Sequence, residues 1–109
     1  MKIKKFLLIT IFSFLIYAQT SFADEVKMTK GLEIFNETAG CAACHVLKAA
    51  GSEGNIGPNL DTVEGLNYES VMDIVTHGLG VMPAFGEDEI LTKEEIDIVS
   101  FYVANSVGK

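Results

Sequence analysis

Two cysteines three residues apart, followed at once by a histidine, constrain this chain more than any other feature: Cys41-Ala42-Ala43-Cys44-His45. On one helical turn, positions i, i+3 and i+4 share a face. Both thiols and the imidazole therefore meet the same neighbour. That combination suits a covalently attached c-type haem, with Cys41 and Cys44 as thioethers to its two vinyl groups and His45 as a proximal ligand to the iron.

Other uses of the pair fit the surrounding residues less well. A thioredoxin-like redox pair calls for a preceding strand and βαβ alternation. Here Gly31 to Thr38 reads as helix, and strand-like runs are scarce. A zinc site needs two more ligands, yet there is no third cysteine, and His77 is the only other histidine. A plain disulfide suits an oxidising compartment but leaves His45 without a role.

The first residues point to such a compartment. Lys2, Lys4 and Lys5 precede Phe6 to Tyr17, a run that is apolar apart from Thr10 and Ser13. Ser21 and Ala23 then place small residues at −3 and −1 of a cleavage site before Asp24. The pattern predicts a cleaved signal peptide over residues 1–23, a domain over 24–109 and a periplasmic location. A spanning helix needs ~20 apolar residues, so no stable membrane span is expected after cleavage. Position 24 is not a cysteine, which gives lipoprotein anchoring no support.

Beyond Ala23 the chain holds five lysines, no arginine and all fifteen acids, a net charge of −10. Such a balance argues against nucleic acid and anionic membranes as partners. It favours redox protein partners with a basic docking face, associating in a salt-sensitive way. A domain this small buries only a modest core. A flat apolar cofactor bonded twice to the chain would act as both staple and core.

The remaining elements read as helices joined by turns. Thr29 is the expected cap of a helix through about Thr38, with Leu32 and Phe35 on one face. Gly31 within it marks a close approach of another backbone. Residues 46–59 are rich in turn formers. Gly57-Pro58-Asn59-Leu60 permits close packing and then fixes φ at Pro58, a rigid turn suited to offer a carbonyl to the second ring nitrogen of His45. Asn67 caps a helix from Tyr68 to about His77, closed by Gly78 and Gly80, with Val71, Ile74 and Val75 as its apolar face. Gly86 to Glu89 form a solvated acidic turn. Thr92-Lys93-Glu94-Glu95 is a capping box opening a last helix to about Ser106, lined by Ile96, Val99 and Val103 with Tyr102 beside them. The expected class is all-α, with no sheet of any size.

Six-coordinate iron needs a ligand opposite His45. Met82 is the favoured candidate among Met28, Met72, Met82 and His77. It lies 37 residues after His45, on a loop stiffened by Pro83, where Val81 and Phe85 are expected to exclude water. Its thioether favours ferrous iron and raises the potential. His77, at a helix end beside glycines, is a weaker candidate. Met72 reads as core, and Met28 lies close to the start.

In order, Gly31-x-x-x-Phe35, Cys41-Ala-Ala-Cys44-His45, Gly57-Pro58-Asn59-Leu60, Met82-Pro83-Ala84-Phe85 and Val99-x-x-Tyr102-Val103 form a set. By it the chain resembles a class I monohaem bacterial c-type cytochrome from about Gly31 to Val103. The resemblance implies a small all-α single domain wrapped around one covalently bound haem, its first helix crossing its last through Gly31, Phe35 and Tyr102. It implies that the Pro58 carbonyl receives the His45 ring N–H, that Met82 is the distal ligand, and that Phe85 belongs to the haem environment. It further implies a one-electron carrier rather than an enzyme. The alternative is the cytochrome subunit of a periplasmic dehydrogenase that oxidises sulfur compounds or alcohols. Two departures stand out. Many soluble carriers ring the haem edge with lysines, whereas this chain sets Glu87-Asp88-Glu89 soon after Met82. Without arginine or tryptophan, the propionates must rely on Lys, Asn, Tyr or backbone donors.

Overall fold

A computed structural model describes residues 21–109. All but the last three residues of the expected signal peptide lie outside the described residues. The first helix, α1, runs through residues 21–33 and continues into one wide π turn, Ile34–Thr38. Thr29 is therefore not its cap. Its Oγ1 donates back to the Glu25 carbonyl at 3.1 Å, the usual outlet for a threonine hydroxyl inside a helix.

The buried face of this helix is Gly31, Ile34 and Phe35, at i, i+3 and i+4, and not Leu32 with Phe35. Gly31 sets that face because it touches the last helix, and Leu32, one residue on, turns outward. A Cβ at Gly31 would overlap the Cβ of Tyr102 and lie 3.2 Å from the Ile98 carbonyl oxygen. The Phe35 and Tyr102 rings sit 6.1 Å apart at a tilt of 55°, a favourable aromatic arrangement.

Two further helices complete the frame: α2, Tyr68–His77, and α3, Lys93–Ser106. Both open on full capping boxes. The Asn67 side chain accepts from the Ser70 amide and that of Thr92 from the Glu95 amide, with Ser70 and Glu95 reaching back. Each box satisfies two amide donors that would otherwise be orphaned at a helix start. The core joins Ile34, Phe35, Leu47, Val71, Val75, Phe85, Leu91, Ile96, Val99, Tyr102 and Val103. Asp97 fastens all three helices. Its carboxylate takes Lys27 from α1 at 2.8 Å and the Tyr68 hydroxyl from α2. Those partners, Lys27 first, hold Asp97 below the usual carboxylate range.

The turn-rich stretch after His45 holds a small exception to the all-helical expectation. Strands β1, Val46–Leu47, and β2, Ser52–Glu53, pair antiparallel, with Val46 opposite Glu53. Buried Ser52 closes this hairpin by accepting from the Leu47 amide and donating to the Leu47 carbonyl. Asp61 anchors the far end: its two carboxylate oxygens accept the Lys48 and Gly108 amides, both at 2.9 Å. The fold remains mostly helical, and none of its described helices is long and apolar enough to cross a membrane.

Candidate functional site

Gly40, at φ +70°, turns the chain out of the π turn and into a 3₁₀ turn over Cys41–Ala43. The Cys41 carbonyl then accepts from two amides, Cys44 at 3.1 Å and His45 at 3.0 Å. One oxygen thus gathers both cysteines and the histidine onto a single turn. The two cysteines form no disulfide with each other, and Cys41 packs against the core. Burial pushes the Cys41 thiol up to about 11. A dithiol catalyst needs the opposite shift, toward thiolate at neutral pH.

His45 is held from one side by the Gly57–Leu60 turn. Three bonds lace that turn to residues 44–46: Gly57 N–H to Cys44 O at 2.7 Å, His45 Nδ1 to Pro58 O at 2.8 Å, and Leu60 N–H to Val46 O at 3.0 Å. A carbonyl oxygen can only accept, so Nδ1 carries the ring proton. In the neutral ring Nε2 then keeps its lone pair. The ring lies flat against Gly57, where a Cβ would come within 2.5 Å of Cε1 and 2.9 Å of Nδ1. Gly54 does the same for the cysteine turn, its missing Cβ standing 2.7 Å from the Ala42 and Ala43 carbonyl oxygens. The sequence marked Gly57 for close packing without revealing its neighbour, and it gave no sign of Gly54.

Met82 and Phe85 lie on a second loop, between α2 and α3. Gly78 starts it at φ +74°, and a Cβ there would reach 2.7 Å from the Met82 carbonyl oxygen. Leu79 and Met82 exchange both backbone hydrogen bonds, and the Phe85 carbonyl accepts from Ile90 and Leu91. Phe85 is buried and half-buried Met82 packs against the same core as Cys41. Val81 does not exclude water, because it is 91% exposed. The tight Leu79–Met82 bridge turns its side chain outward.

His77 is turned toward carboxylates, with only its Nδ1 in a hydrogen bond. Nδ1 lies 2.6 Å from Glu87 Oε1 and Nε2 lies 3.6 Å from Asp73 Oδ1. It is more than half exposed and faces carboxylates, which leaves it a poor iron ligand. Met72 packs against the core from a groove between α2 and α3, and Met28 packs there from α1.

The donor set therefore fits a covalent haem. Two thiols and one imidazole with an open Nε2 share a turn, two glycines give the ring and turn their clearance, and a thioether stands on a separate braced loop. Comparison with known proteins agrees. The family model described as cytochrome C oxidase, cbb3-type, subunit III, matches residues 26–103. Cytochrome c6 of Pyropia yezoensis is 32% identical over 123 aligned positions, which take in all of this chain and 98% of that protein. The crystal structure of the c-type cytochrome SorU from Sinorhizobium meliloti superposes with a TM-score of 0.70 at 46% identity, over 78% of this chain and 95% of that one.

Proposed function

This chain belongs to the cytochrome c family, and from that we propose a periplasmic carrier in which His45 and Met82 would hold the haem iron. It is a monohaem c-type cytochrome that binds haem c covalently and transfers electrons rather than acting as an enzyme. When bound, the haem supplies an iron that takes up and releases one electron at a time. The reading of its ligands rests on one observation above the rest, the Pro58 carbonyl that fixes the His45 proton on Nδ1 and frees Nε2.

The chain's own residues do the remaining work. Cys41 and Cys44 anchor the group. The Pro58 hydrogen bond orients the imidazole and raises its basicity. The Met82 thioether favours the ferrous state, and Phe85 covers the core side of that loop. Exposed Leu79 and Val81 stand beside Met82, and exposed Ile56 stands beside the Gly57 turn. The acidic surface around the domain selects a basic partner. Electron transfer to such a partner is expected to slow by about tenfold or more between ~0.01 and ~0.5 M salt. An insensitive rate would remove the basic docking face.

Absorption spectra of the oxidised and reduced mature protein test the axial pair. A far-red sulfur-to-iron charge-transfer band in the oxidised form is the expected result, and its absence at neutral pH would exclude Met82. A second prediction concerns the imidazole. Gly57→Ala is expected to lower holoprotein stability by about 1–3 kcal/mol, the usual cost of overpacking, and to shift the reduction potential while both thioethers persist. Thermal melts and a redox titration measure the two effects. If neither moves, the ring does not rest on Gly57. The alternative, a cytochrome subunit held by a larger oxidoreductase, draws on the matched family's description as an oxidase subunit. Co-purification of a catalytic chain at high salt would favour it.

A further inference from the structure

We propose that His77 and Glu87 are positioning residues for the Met82 loop, closing its neck onto α2 while His77 is protonated. The geometry stands by itself; its consequence at the iron rests on the Met82 reading above. The chain leaves α2 at His77, passes through Met82 and Phe85, and returns to the same helix nine residues later. On return, the Gly86 and Glu87 amides both donate to the Thr76 carbonyl, at 3.2 and 3.0 Å. Gly86 allows this approach because a Cβ there would meet Thr76 Cγ2 at 2.9 Å. Beside that backbone clasp, His77 Nδ1 reaches Glu87 Oε1 at 2.6 Å. Loop 78–85 is thus an eyelet pinned at its neck by Thr76 and His77. At its start, Gly78 lies directly beneath the Met82 carbonyl.

An exposed pair alone contributes little. This one differs because it closes a short loop, so opening the neck slackens the segment that presents the thioether. The charged groups around it are acidic apart from one lysine. Asp73 and Glu69 come from α2 and Glu87 from the turn, and Lys93, at the start of α3, is the one lysine lining the groove. Asp88 and Glu89 follow in the same turn. The Glu87 hydrogen bond, aided by Asp73, pulls His77 above its ordinary value of 6.5. A raised folded value means the charge that strengthens the clasp is present at about 6.5 and is lost as pH rises through the raised value.

Amide exchange on the reduced holoprotein tests this, at about pH 5.5 and about pH 8.5, either side of the histidine range. After correction for intrinsic exchange, Gly86 and Glu87 are expected to be about threefold better protected at the lower pH. Carbon monoxide, which carries no titratable proton, is expected to replace the thioether about threefold more slowly there. In H77Q and E87Q both differences vanish, and the double variant behaves like either single one. Persistence of the pH dependence in H77Q, or additive effects in the double variant, would overturn the proposal. The two readings separate cleanly. A wild-type protein with this amide pattern but no sulfur-to-iron band keeps the clasp and removes Met82 from the iron. An intact band with amide protection unaffected by H77Q removes the clasp alone.

Discussion

Replacing Met82 with leucine is expected to leave the haem attached and to lower the reduction potential by on the order of 0.2 V, a fraction of the roughly 0.8 V that axial ligands command. Attachment depends on the Cys41–His45 turn, whose hydrogen bonds run to the Gly57–Leu60 turn and not to the Met82 loop. Leucine keeps nearly the volume of methionine, so the core beside Phe85 stays filled. The Leu79–Met82 backbone bridge needs no particular side chain at 82. What disappears is the soft neutral sulfur that favours ferrous iron. The far-red band should vanish with it. Redox titration and oxidised spectra of wild type and variant make the comparison. An unchanged potential would mean that another group, or water, already occupies the distal position.

The parts of this molecule that sequence foretold are those written in short range. Asn67 and Thr92 each announce a helix start; the Thr92–Glu95 box forms as read, and the Asn67 cap proves to be a full box with Ser70. The stripe of Ile96, Val99 and Val103 also lies within one element and is buried as expected. Errors arose where the deciding contact is distant. Thr29 looks like a cap because it precedes an amphipathic stretch, yet the helix already runs upstream of it. Leu32 looks interior until Tyr102, seventy residues later, selects the Gly31 side. Ser100 and Ser106 are buried in α3, which no hydropathy pattern suggests.

The candidate site divides along the same line. Cys41, Cys44 and His45 were legible because chemistry fixes their spacing. The Gly57–Leu60 turn was legible as rigid, but its grip on residues 44–46 is a matter of three tertiary hydrogen bonds. Val81 was misjudged because an apolar residue beside a proposed ligand reads as a water shield, whereas the two-bond bridge between Leu79 and Met82 faces it outward. Asp97 and the His77–Glu87 pair carry no local signature. Each is an ordinary charged residue until three helices, or the two ends of a loop, bring its partner into reach.

Gly31→Ala puts the largest strain on the frame that carries this site, and its sign is decided by two opposed magnitudes. Alanine gains about 1 kcal/mol over glycine in a helix interior, so an open site would be stabilised. At Gly31 the added methyl meets the Cβ of Tyr102 and, at 3.2 Å, the Ile98 carbonyl oxygen. Neither atom is the free end of a flexible side chain, so α1 and α3 must separate. Overpacking of that kind costs about 1–3 kcal/mol and occasionally more; with rigid atoms on both sides the upper end applies, and the clash outweighs the helix gain. A net loss of about 2 kcal/mol corresponds to a fall in Tm of roughly 8–16 °C for a domain this size. Leu32→Ala, one residue along on the exposed side, is expected to stay within a few degrees of wild type, at about ±0.5 kcal/mol. Thermal melts of the two holoproteins measure the contrast. If Gly31→Ala melts at or above wild type, the helices do not cross in contact at Gly31. The burial of Ile34 and Phe35, which leads the chain into the Cys41 turn, would then need another cause.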